Sequence, residues 1–164
     1  MKAYIQVTMC ANSPWAWRVA IAFLALALPF PAFGALGASL ESVQSDQIEL
    51  QAKVTISIVG TYTICEMSAP SGTVVREYVS QTGKVFGVTW QGPFIPDMRQ
   101  LLGRYFDQYS QAAKDQRKHH VGRVPLDIHE PGLIVQTAGH MLAHSGRAYD
   151  PGLLPVGVSD HDIR

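Results

Sequence analysis

Along residues 54–65 the side chains alternate more strictly than anywhere else in the chain. Val54, Ile56, Ile58, Gly60, Tyr62 and Ile64 fall on one side and Thr55, Ser57, Val59, Thr61, Thr63 and Cys65 on the other. A period of two predicts β-strand, and because the run is long for a single strand, a bend or bulge is expected at Gly60. Two further β-rich runs, 73–80 and 84–90, flank Gln81, Thr82 and Gly83, the composition of a hairpin with a glycine-bearing turn. In the second run Phe86, Val88 and Trp90 alternate with Val85, Gly87 and Thr89, so the three bulky residues are expected to share a core face. The first run is less regular. Val75 and Val79 share a face with Glu77, and Val74 and Tyr78 share the other with Arg76, so one charged residue falls among apolar neighbours unless the strand lies at an edge.

The period then changes. Pro96 and Asp97 suit a helix start, and Met98, Leu101, Leu102, Tyr105, Phe106, Tyr109, Ala112 and Ala113 recur at three- and four-residue spacing, opposite Arg99, Gln100, Arg104, Asp107, Gln108, Gln111, Lys114 and Asp115. This predicts one amphipathic helix over residues 96–116, lying across a sheet. Burying its large apolar residues contributes about 1.5–3 kcal/mol each, against roughly 1 kcal/mol lost at the interior Gly103. Residues 39–53 are weakly patterned and suggest a short helix capped by Ser42 or Ser45, whereas 133–137 reads as a strand. Residues 139–149 read either as its continuation or as a strand broken at Gly146, and the tail, with Leu153, Leu154, Val156 and Val158, is expected to lie against the body. The expectation is a single α+β domain: an antiparallel sheet of four or five strands, with one main amphipathic helix packed on one face.

Composition changes this picture mainly at the amino end. An apolar run over 19–30, preceded by Lys2 and Arg18 without an acid and followed by Pro31, Ala32, Phe33 and Gly34, has the three-part form of a secretory signal peptide. The expected division is residues 1–34 as signal and 35–164 as the domain. Cleavage after Gly37 is the alternative, and Met9 is an alternative start. The run is shorter than the about 20 apolar residues of a membrane span, so no stable span is expected after cleavage. Removal of 1–34 leaves 11 basic and 13 acidic residues, a formal charge of −2, which gives no reason to expect nucleic acid. The one basic patch is Arg117, Lys118, His119, His120 and Arg123. Cys10 leaves with the signal, so Cys65 is alone in the mature chain. It reads as a small strand residue, with an intermolecular bridge as the alternative.

All six histidines lie in the last third: His119, His120, His129, His140, His144 and His161. His140 and His144 would share a face of one extended strand about 13 Å apart, too far to chelate one ion. No zinc motif or phosphate loop is present, so no metal site or cofactor is expected. Ser145 with His140 or His144 and Asp150 would make a hydrolase trio, but outside the GxSxG context of a nucleophile elbow. Glu66 and Glu77 are the nameable carboxylate pair. Trp90, Phe94 and Tyr149 could form a sugar-binding surface, against their use as core. No catalytic residue is assigned, and the ligand-binding candidates are His140, His144, Ser145, Arg147 and Tyr149.

The segments GTVVREYV at 72–79, GKVFGVTWQGP at 83–93, PDMRQLLGRYF at 96–106, GHM at 139–141 and SGRAY at 145–149 resemble a family of small exported proteobacterial proteins, domain of unknown function 2844, common in Burkholderia-like bacteria. The resemblance covers nearly the whole mature chain. It implies export from a Gram-negative cell and one compact domain, and it supplies no activity, ligand or catalytic residue. The functional expectation is therefore a periplasmic or secreted non-catalytic protein that binds or helps assemble a cell-envelope or exported component, with a protein or glycan partner. A small envelope hydrolase or metal-binding protein using the histidine-rich third is the competing reading.

Overall fold

A computed structural model describes residues 35–118 and 125–164. The expected signal over 1–34, Cys10, and His119, His120 and Arg123 of the basic patch lie outside the described residues. The chain forms α1 (Leu40–Glu49), β1 (Lys53–Val59), β2 (Tyr62–Ser68), β3 (Val74–Ser80), β4 (Val85–Gly92), α2 (Met98–Leu102), a 3-10 turn (Gly103–Tyr105), α3 (Phe106–Lys118), β5 (Asp127–Glu130), β6 (Leu133–His140) and β7 (Ala143–Tyr149). All seven strands join one antiparallel sheet in the order β1-β2-β3-β4-β7-β6-β5. The expectation of four or five strands with one main helix is corrected to seven strands with two helical segments, α1 and the run over 98–118.

Three local causes account for the extra strands. The alternating run 54–65 is two strands, because Gly60 at φ 56° allows a tight reversal that pairs Val59 with Tyr62. The run 133–149 is also two, turning at Met141 and Leu142 and not at Gly146. Gly146 lies inside β7, where the Trp90 indole crosses its backbone and leaves no room for a Cβ. The short strand β5 carries Asp127, His129 and Glu130 around a single buried Ile128, too polar a stretch for periodicity to reveal.

The helices start and bend for reasons the chain supplies locally. Asp97 caps α2 by accepting from the backbone N–H groups of Arg99 (2.8 Å) and Gln100 (3.4 Å). Gly103, at φ 48°, breaks the run between α2 and α3, so it is a bend only glycine makes cheaply and not the interior helix glycine that spacing suggested. The N-cap of α1 is Ser39, ahead of both expected caps.

The sheet is covered on both faces. Against one lie α1, α2, α3 and the turn at 35–38, whose backbone N–H groups donate to Gln100, Leu101 and Val85 and whose Ala38 carbonyl accepts from Val85. Against the other lies the tail: Ile163 packs with Tyr62, Tyr78, Phe86 and Tyr149, joined by Leu153, Leu154 and Val158. Phe86 belongs to this second core, contrary to the expected sharing of a face with Val88 and Trp90. A bulge explains it: Tyr78 pairs with Gly87 and Val79 with Val85, so Phe86 is the extra residue and turns to the tail side. There it meets Tyr62 edge-on, ring centroids 5.7 Å apart.

Two neighbouring rungs of the ladder show how each face is built. Ile56, Cys65, Glu77, Val88, Ala148, Val135 and Ile128 stand in register on the helix side, apolar but for Glu77. The adjacent rung, on the tail side, reads Thr55, Glu66, Arg76, Thr89, Arg147, Gln136 and Asp127 and is polar throughout.

Candidate functional site

At the end of the sheet where β6 turns into β7, a cleft of about 660 Å³ opens between that hairpin, the segment after β4 and the outer end of α3. Its floor is Trp90 and Leu126; Met98 and Tyr109 come from the helical run, and Ile95 from the loop ahead of it. Its ionisable side chains, besides the Tyr109 phenol, are Arg117, His140 and His144, and no carboxylate lines it among the described residues. Burial raises the Tyr109 phenol above its ordinary value, and the neighbouring Arg117 pulls the other way. A cleft of this size, mostly apolar with a few convergent polar groups, suits a bound ligand or an inserted side chain.

The hairpin tip beside the cleft is unusual in two respects. Met141 and Leu142 are 81% and 66% exposed, and Leu142 holds a φ of 62°, the left-handed region that a branched side chain populates at a cost. Phe94 and Ile95, on the loop after β4, are exposed as well. Of these four apolar side chains, Ile95 and Met141 also line the cleft. The histidine count drew attention to this hairpin, but Met141, Leu142, Ile95, Met98, Tyr109 and Arg117 were not legible as one site, because four different elements contribute them.

The five sequence candidates divide. His140, His144 and Ser145 line the cleft. His140 and His144 sit on different strands, on neighbouring rungs, with His140 opposite Ala143 and His144 opposite Gly139, so the expected 13 Å separation along one strand does not apply. Arg147 instead holds the tail: Nε donates to Gln136 (2.7 Å) and Nη1 to the backbone oxygens of Asp160 (2.6 Å) and Ile163 (3.4 Å). Tyr149 is buried in the tail-side core. Trp90 is only 3% exposed, so Trp90, Phe94 and Tyr149 form no shared aromatic surface. The Ser, His and Asp trio is not assembled: Asp150 follows Ser145 by a strand length of about 17 Å, and its carboxylate accepts from the Tyr105 hydroxyl and the Gly152 N–H. Among the described residues no group of three or more His, Cys, Asp or Glu side chains is arranged to hold a metal ion.

A second chemical feature lies under the helices. Glu77 is fully buried on the interior strand β3, not at an edge, and Arg76 pairs with Glu66 on the opposite face. Neither Glu77 oxygen nor Asp46 Oδ2 meets an N–H or O–H donor, while Asp46 Oδ1 accepts from Gln100 Nε2 at 2.7 Å. Asp46, 3% exposed on α1, faces Glu77, and a proton shared between the two carboxyl groups supplies the missing bond. Burial, and then the Asp46 charge, push Glu77 up to about 9; burial likewise raises Asp46. Cys65, paired across the ladder with Glu77, is 1% exposed and its thiol is raised by burial first and Glu77 second, which makes it a packed core residue and not a surface thiol.

Among the described residues no helix is long and apolar enough to cross a membrane. No curated protein and no solved structure matches this chain. Residues 32–163, which span the whole sheet and both of its coverings, match the family described as protein of unknown function (DUF2844), and the chain belongs to that family.

Proposed function

We propose that this protein is an exported, non-catalytic binding module of the cell envelope, which seats an apolar, acid-bearing polypeptide segment of an envelope or exported partner in the cleft at the β6–β7 tip. The observation that carries the reading is the exposed Met141–Leu142 tip, with Leu142 at positive φ, beside an apolar cleft whose lining includes the Arg117 guanidinium and the His140 and His144 imidazoles. Methionine suits a surface that must adapt to its partner, and the basic lining favours a carboxylate on the incoming segment. Export is supported by the apolar run ahead of Gly34. Cleavage after Gly34 fits the fold better than cleavage after Gly37, since Ala35 and Leu36 are buried between α2 and β4 and hydrogen-bonded there.

The test is crosslinking in living cells, followed by recovery of the protein from the periplasm and mass spectrometry, with wild type and the pair Met141→Ser, Leu142→Gly. Glycine relieves the backbone at 142, so the variant keeps its fold. A partner recovered with wild type and lost with the variant supports the reading. Equal recovery from both, or recovery of glycan alone, overturns it.

A further inference from the structure

The two edges of the sheet differ. One is β5, four residues long, with Asp127, His129 and Glu130 around Ile128, the short and charged form that keeps other strands from pairing. The other is β1, seven residues reading KVTISIV, with a single charge at its first position, no proline, and an unbroken register with β2. Its helix-side row is Val54, Ile56 and Ile58. Val54 is packed against the core, whereas Ile56 and Ile58 are 65% and 82% exposed. Ile48, on α1 over the same face, is exposed as well. A long apolar edge without charges along it is a template for a further strand.

The ladder decides which backbone groups this edge offers. The Ala69 N–H, one residue past β2, donates to the Thr73 carbonyl at 2.9 Å. By the alternation of antiparallel pairs, the odd-numbered residues of β2 therefore bond to β3 and the even-numbered ones to β1. With Val59 opposite Tyr62 and Ser57 opposite Ile64, β1 spends residues 53, 55, 57 and 59 on β2 and turns the N–H and C=O groups of Val54, Ile56 and Ile58 outward. That set is symmetric about Ile56. A two-fold axis there sets Ile56 opposite its own copy and Val54 opposite Ile58, so each outward residue exchanges both of its bonds. The apolar rows of the two copies then merge on one face, Thr55 meets Ser57 on the other, and Lys53 falls opposite Val59, away from any like charge. A one-residue slip would set the apolar row against the hydroxyls. We propose that β1 is a dimerisation edge, which pairs antiparallel with β1 of a second copy about Ile56 and joins the two sheets into one. Two strand edges with three exposed isoleucines a side make an interface at or below the lower end of the about 1,200–2,000 Å² of stable complexes, so the dimer is reversible, with a Kd on the order of micromolar. Strands β2 and β3 separate this edge from β4, the nearest strand of the cleft, so the proposal stands independently of the partner site.

Sedimentation velocity of the intact protein, across concentrations on either side of that Kd, tests this with wild type and Ile56→Lys. The side chain at 56 is exposed, so the variant should keep the wild-type melting temperature at low concentration. Two like charges then meet across the axis, and dimerisation should weaken by at least about tenfold. A second pair of variants reads the register, in a Cys10→Ser background that leaves only the buried Cys65. Ile56→Cys faces itself with Cα atoms about 5.5 Å apart and should oxidise to a covalent dimer, whereas the two copies of Ile58→Cys lie about 13 Å apart along the strands and should not. A dimer lost in Ile56→Lys and trapped at 56 alone supports the proposal. Wild type that stays monomeric, a dimer that Ile56→Lys leaves intact, or equal oxidation at 56 and 58 overturns it. Ile56→Cys crosslinked in cells to a different protein and not to itself would give the edge to a foreign strand, which overturns it as well.

Discussion

At the scale of single residues, Glu77 is a fully buried carboxyl, one of the two charged residues, with Arg76, of which the alternation pattern required one to fall among apolar neighbours unless the strand lay at an edge. Its partner was not legible, because Asp46 lies in a weakly patterned helix far away in sequence, and only packing of α1 on the sheet brings the two carboxyls together. The pair has a pH signature. A folded value of about 9 for Glu77, against 4.5 in the absence of the fold, means its contribution to stability is fully present below pH 4.5 and is lost as pH rises through about 9. Wild type should therefore lose up to about 1.4 kcal/mol per pH unit across that window. Glu77→Gln, whose amide can donate to Asp46, should flatten the dependence and be the more stable protein at alkaline pH. Denaturant midpoints across the window measure this, and parallel curves for the two proteins would refute the shared proton.

At the scale of elements, the hairpin of β3 and β4 and the helical run after it were readable because everything that specifies them is local: Gly83 at positive φ in the turn, Asp97 at the cap, and apolar spacing along the run. Asp97→Ala should cost about 0.5–2 kcal/mol, read by thermal unfolding. Gly103 decides between two pictures of the same stretch. A glycine inside a regular helix is improved by alanine by roughly 1 kcal/mol, whereas at φ 48° the same substitution is strained. Gly103→Ala should destabilise by about 1 kcal/mol or more, and a gain in stability would restore the single straight helix. The β6–β7 turn escaped notice for the opposite reason, since Met141 and Leu142 carry none of the glycine or asparagine that marks such turns.

At the scale of the whole molecule, the tail completes a second core, and it is held by two side chains of the sheet. Arg147 grips the Asp160 and Ile163 carbonyls, while the Tyr78 hydroxyl donates to the Arg164 carbonyl (2.5 Å) and accepts from its N–H (3.0 Å). Tyr78→Phe removes both of the latter bonds while keeping the ring among Tyr62 and Phe86, so it should cost about 1–2 kcal/mol. It should also speed amide exchange in residues 160–164 more than elsewhere. Uniform exchange across the sheet would mean that the tail is seated by its apolar contacts alone.

The sequence by itself determined what depends on neighbours along the chain. It placed strands where residues alternate, a helical run with its start, a hairpin turn, a charged residue forced among apolar ones, and an apolar tail that had to find cover. Only the tertiary structure decided the rest: seven strands in place of four or five, the bulge that sends Phe86 to the far face, the Asp46–Glu77 pair, the cleft at the β6–β7 tip, and the place of β1 at an open edge. The physical reason is register. A one-residue shift in how two strands pair moves every side chain to the other face, and local periodicity does not specify which residue of one strand meets which residue of another.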